Sequence, residues 1–130
     1  MKKIEDKILV KKRRISIASA KQKGRILQQY IGKKVAEYLD VKFGPDDPVA
    51  SRPLGCNGTD IIIAKHLLKR FPFSIEAKNC EKWNFKAFIE QAKKNVLKDT
   101  SWALVIKRNH EKPIIVLDFD FFMEWIIKQK

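Results

Sequence analysis

Apolar residues recur at every fourth position from Leu27 through Ile31 and Val35 to Leu39, with Tyr30 and Tyr38 beside them. This is the stripe of one helix face, and it predicts a helix starting near Ser19 or Lys21 and ending about Leu39. Ser19 is a suitable N-cap, and the run Gly44-Pro45-Asp46-Asp47-Pro48 stops the helix. The period then shortens. Residues 49–52 read as a short strand, 53–58 as a loop with two glycines, and 61–64 and 73–77 as extended apolar runs. A helical turn fits the connector 66–70, and 79–84 is a loop. A second helix is predicted over 85–98, with Phe85, Phe88, Ile89, Ala92 and Val96 inward and Lys86, Lys93, Lys94 and Lys98 outward. Strands at 102–107 and 113–117 follow, joined by a turn at Arg108, Asn109 and His110. Asp118 caps a last helix through Ile127, with Phe121, Phe122, Trp125 and Ile126 apolar. The order predicts an α/β fold, a central mixed β-sheet flanked by helices.

Composition narrows the partner. The chain has 130 residues, enough for one domain with a small core, taken as 21–130 behind a basic N-terminal arm at 1–20. Its 28 Lys and Arg against 15 Asp and Glu give a formal net charge of +13, which favours a polyanion, with nucleic acid the first candidate. Lys21, Lys23 and Arg25 continue the basic run of the arm onto the first helix, and they are candidate phosphate contacts. A solvated tail explains the arm equally well. No long apolar span or signal peptide is apparent, so a membrane partner is not expected and a cytoplasmic location is. Cys56 and Cys80 read as free thiols. With His66 and His110 they offer no close ligand pair for zinc.

The chemistry gathers at Asp60 and at Glu76-Ala77-Lys78. Alternation along a strand puts Glu76 and Lys78 on one face, about 6.8 Å apart, with Ile75 and Ala77 on the other. If the two apolar runs pair as neighbours, Asp60 comes beside Glu76. Two carboxylates then repel unless a cation lies between them, and Mg²⁺ prefers such oxygen ligands. A surface strand pair with a Glu–Lys contact is the plain alternative.

Asp60 followed by Glu76-x-Lys78 resembles the D…(D/E)-x-K core of restriction-endonuclease-like nucleases. Arg52-Pro53-Leu54-Gly55, with four residues before Asp60, is similar to the R-x-x-G-x(4)-D stretch of archaeal Holliday junction resolvases. Gly24-Arg25-Ile26-Leu27-Gln28 resembles their G-x-x-x-E. FPFSIEAKNCEKWNFKAFIEQAKKN looks like small phage-encoded resolvase-like nucleases, a likeness over roughly residues 22–117. The resemblance implies a restriction-endonuclease-like fold and a homodimer in a prokaryotic cell or phage-infected host. It implies cutting of branched DNA at four-way junctions by paired symmetric nicks, leaving 5′-phosphate and 3′-hydroxyl ends.

The expected roles follow. Asp60, Glu76 and the Ala77 backbone carbonyl hold Mg²⁺, with Mn²⁺ as a substitute, and Lys78 positions the attacking water or offsets charge on the phosphate. Arg52 and Ser51 contact the DNA backbone, and so does Asn79. Gln91, in the Glu-Gln-Ala match, orients water or substrate. Gln28 stands where the archaeal pattern has an acid. Its amide oxygen can ligate but brings no charge, and Glu37, about 13 Å further along the helix, does not replace it. One Mg²⁺ per subunit is therefore expected. Phe85 reads as core, and Trp83 as exposed or at a dimer interface. Two other functions fit the residues: a nuclease acting on flaps, nicked or single-stranded DNA, and a non-catalytic DNA-binding module.

Overall fold

The computed structural model describes residues 2–130, with side chains from Ser19 onward. Its elements are α1 (Lys2–Leu39), β1 (Val49–Ser51), β2 (Ile61–Ile63), a 3-10 turn (Lys65–Leu67), β3 (Phe73–Asn79), α2 (Phe85–Lys94), β4 (Ser101–Lys107), β5 (Ile114–Leu117) and α3 (Phe119–Lys128). No helix among the described residues is long and apolar enough to cross a membrane.

Helix α1 has no boundary near Ser19, so the expected N-cap is an interior position. No proline interrupts the chain before Pro45. Side-chain roles expected of the basic arm lie outside the described residues. The predicted C-terminus holds: Val41 N–H donates to the Ala36 carbonyl and Asp40 N–H to that of Glu37, with Asp40 left-handed at φ 56°. That bond pair is a Schellman ending. Gly32 lies inside α1 where the Phe43 ring crosses it, in the space a Cβ would occupy. The chain after α1 can therefore fold back tightly onto the helix.

The strands form two small sheets. β1 and β2 pair antiparallel, Val49 opposite Ile63 and Ser51 opposite Ile61, and Arg52 N–H to the Asp60 carbonyl adds one more rung. β3 and β4 run parallel through the α2 crossover, and β5 is antiparallel to β4, so the larger sheet is mixed. The two extended runs do not pair as a ladder. β2 is spent on β1, and it meets β3 through Asp60 N–H donating to the Ile75 carbonyl at 2.9 Å.

Both faces of the mixed sheet are covered. Phe73, Ile75, Ala103 and Val105 pack with Leu27, Ile31, Val35 and Leu39 of α1, and Phe121 and Trp125 of α3 join them. Phe73 is the hub, its ring meeting Trp125 and Phe121 edge to face at 5.2 and 5.5 Å. On the other face, Leu104 and Ile106 are fully buried, and Ala92 of α2 is buried as well. Helix α2 is shorter than predicted. It ends at Lys94, and Val96 lies outside it and exposed. Phe85, expected in the core, is 43% exposed and packs on Trp83. Trp83 is not free: its Nε1 donates to the Cys80 carbonyl, and the Arg108 guanidinium lies 3.8 Å over its ring. Cys56 and Cys80 are both free thiols.

Candidate active site

A short loop sets the first acid. Gly58 takes φ 121°, and the Arg52 guanidinium lies over it, 2.7 Å from where a Cβ would stand. Arg52 Nε donates to the Thr59 carbonyl, and buried Thr59 Oγ1 donates to that of Ile61. The loop thereby delivers Asp60 to the free edge of β3. There Asp60 both donates its N–H to Ile75 and accepts the Ala77 N–H at Oδ2, at 2.7 Å. The side chain takes the place of a missing strand and leaves its other oxygen uncommitted by that bond.

Glu76 and Lys78 lie on the α2 face of β3, opposite Leu104 and Ile106 on β4. Those aliphatic neighbours, with α2 above, leave Glu76 3% exposed. Its Oε1 is 3.7 Å from Lys78 Nζ, and its Oε2 is buried without a hydrogen-bond partner. The Lys78 ammonium also sits 5.6 Å from the centre of the Phe88 ring. Burial, reinforced by the charge on Asp60, raises the Glu76 pKa to about 7, against the opposing pull of Lys78 and the Asn95 side chain. Asp60 is raised as well: burial outweighs the Ala77 N–H and the charges of Lys78 and Arg52. Both acids therefore disfavour being charged together.

Oxygen donors converge at this edge. The N–H and C=O of one strand residue point the same way, so the Ala77 carbonyl faces Asp60 as its N–H does. Two carboxylates and a backbone carbonyl are hard ligands, and an orphaned Glu76 oxygen is what a cation would take up. The set fits Mg²⁺ or Mn²⁺ with further positions left for water. Among the described residues no group of three or more His, Cys, Asp or Glu could hold a metal ion. The carboxylates number two, and the third ligand is backbone.

The remaining expected residues are less closely gathered. Gln28 is buried on α1 beside Leu27 and is not among the groups that shift either acid. Gln91 is exposed on α2, within one turn of Phe88 and Asn95. Ser51 is half-buried on β1, and Lys21 and Arg25 are exposed on α1. Arg52 spends its Nε on Thr59. Asn79 turns inward: its amide donates to the Lys23 carbonyl at 3.3 Å and ties the end of β3 to α1. Asn95 and Phe88 were not read from the sequence as site residues. Asn95 follows the last turn of a lysine-rich helix, a position that signals a cap and says nothing of a carboxylate across the sheet.

Comparison with protein-family models, curated proteins and solved structures returns no match to this chain. The functional reading therefore rests on the site and on the motifs.

Proposed function

We propose that the protein is a metal-dependent, structure-selective DNA endonuclease of the restriction-endonuclease-like class, acting on four-way junctions as a homodimer. The observation that carries the reading is Asp60 fixed on the edge of β3 beside Glu76 and Lys78, with burial raising both acids. A mixed sheet with α1 and α2 on its two faces is compatible with that class. The +13 charge supports a phosphate-rich partner.

Asp60, Glu76 and the Ala77 carbonyl would hold Mg²⁺. When bound, the ion supplies Lewis-acid polarisation of the phosphate and a more acidic water. The Ala77 N–H fixes the orientation of the Asp60 carboxylate. Lys78 reaches the site from the Phe88 ring and the Glu76 carboxylate, and its ammonium orients the attacking water or offsets charge gathering on the phosphoryl oxygens. Leu104 and Ile106 beside the pair on β4 exclude water and strengthen each of these interactions.

The test is cleavage of an immobile four-way junction beside a linear duplex of matched sequence, in Mg²⁺ and in EDTA, with Lys78→Ala alongside. Paired symmetric nicks confined to the junction are expected, with a loss of about 100-fold or more in the variant. Equal cutting of flaps or nicked duplex would remove the junction preference and keep the nuclease. Tight, salt-sensitive junction binding without cleavage would replace the enzyme with a DNA-binding module.

A further inference from the structure

Beyond the C-terminal ends of the parallel strands β3 and β4 lies a cavity of about 690 Å³, between α1 and the turn joining β4 to β5. Crevices outside the carboxyl ends of parallel strands are favoured places for ligands. Ile26 and Tyr30 of α1, one turn apart, form one wall, and they are 56% and 50% exposed. They add nothing to the core. Lys23, Lys107 and Lys112 line the same cavity, and Lys34 Nζ stands 5.8 Å from the Tyr30 ring centre. A flat apolar wall bordered by ammonium groups suits a planar ring attached to phosphates.

Asn79 adds a directional element. Its amide nitrogen is committed to the Lys23 carbonyl, which fixes the amide and leaves Oδ1 buried without a donor. Asn79 also lines the cavity and directly follows Lys78. Adjacent strand residues point to opposite faces, so the cavity and the acid pair lie on the two sides of one strand end. A DNA strand crossing that end can present a phosphate to Lys78 and a neighbouring nucleotide to the cavity.

We propose that this cavity captures one unpaired nucleobase of the strand being cut, stacked on Tyr30, with Asn79 Oδ1 accepting from an exocyclic amino group. The flanking phosphates rest on Lys23 and Lys112. This rests on the nuclease reading and adds a base preference, adenine or cytosine over thymine, that the acid pair alone does not give. Every base has a π-face, so the stacking itself tolerates sequence, and discrimination comes from Asn79.

The test uses the full chain in EDTA, where cleavage plays no part. Single-stranded oligonucleotides carrying one 2-aminopurine are titrated, with anisotropy for affinity and 2-aminopurine emission for stacking. Wild type is expected to quench the emission and to prefer oligo-dA and oligo-dC to oligo-dT. Tyr30→Ala is expected to lose the quench and about 10-fold in affinity, and Tyr30→Phe to retain both. Asn79→Leu is expected to lose the base preference while keeping the quench. Unchanged quenching and affinity in Tyr30→Ala overturn the proposal. Base capture by a wild type that cuts no junction in Mg²⁺ upholds the cavity and removes the nuclease. Junction cleavage without base capture does the opposite.

Discussion

Replacing Glu76 with Gln tests the central electrostatic feature through stability rather than activity. In the folded chain the Glu76 pKa is raised from 4.5 to about 7, burial being the main cause and the Asp60 charge the second. A carboxyl that binds its proton more tightly when folded contributes stability present below pH 4.5 and lost as pH rises through 7. At 1.36 kcal/mol per pH unit, the displacement corresponds to about 3 kcal/mol lost by the metal-free protein between pH 4 and pH 8. Asp60, raised for the same reason, contributes with the same sign. Urea unfolding in EDTA at the two pH values measures the loss, which is about 1.5 M in midpoint at a slope near 2 kcal/mol per M. Glu76→Gln has no charge to bury, so its midpoint is expected to move less by roughly that amount. The comparison is between pH values within each protein, because an amide nitrogen facing the unpartnered Oε2 position has its own cost. Equal losses in wild type and variant would refute the argument that burial dominates this carboxyl.

Three further outcomes follow from the same geometry. Mg²⁺ at ten times its dissociation constant should stabilise the wild type by about 1.4 kcal/mol at pH 8, and Asp60→Asn should abolish that gain in the same unfolding assay. Cleavage should rise with pH through about 7 at low Mg²⁺, as Glu76 gives up its proton, and the midpoint should fall at high Mg²⁺, because cation and proton compete for one carboxylate. A flat profile across pH 6–8 would separate Glu76 from the chemistry. Gly32→Ala should cost about 1–3 kcal/mol by forcing Phe43 off α1, measured by thermal unfolding, whereas Gly24→Ala, with open space around it, should not destabilise.

The helical stripe from Leu27 to Leu39 was legible because a period of four needs only local sequence, and each of its four residues is buried. The alternation in Phe73 to Lys78 likewise separated Glu76 and Lys78 from Ile75 and Ala77, although not which helix would cover each face. What failed depended on distant partners. A ladder between the Asp60 and Glu76 runs depended on their pairing as neighbours, and β2 pairs with β1 instead. The acids still meet, because one residue of contact replaces a whole ladder: Asp60 bonds β3 twice. Phe85 carried the right spacing for core, yet it is exposed at the start of α2 and packs on Trp83. Asn95 and Asn79 show the same limit. An amide at a helix end or a strand end gives no sign of which neighbour it will meet.

Burying two acids at one strand edge is a costly arrangement for a fold with no use for them. Leu104 and Ile106 are fully buried under Glu76 and Lys78, so an aliphatic residue at position 76 would pack there without the loss above pH 7. The nearby cations do not offset the cost. Lys78 is 3.7 Å from Glu76, Arg52 is held over Gly58, and both acids remain raised despite them. In a chain of net charge +13, further compensation was easily supplied by placing another lysine, and among the described residues no cation besides Lys78 and Arg52 acts on either acid. The pair is thus left under-neutralised within a strongly basic chain. A proton relieves it below pH 7, and in the proposed nuclease a divalent cation would relieve it above. In the proposed nuclease, the basic surface would bring phosphates toward an acid pair that holds a cation, the separation of charge that phosphodiester hydrolysis requires.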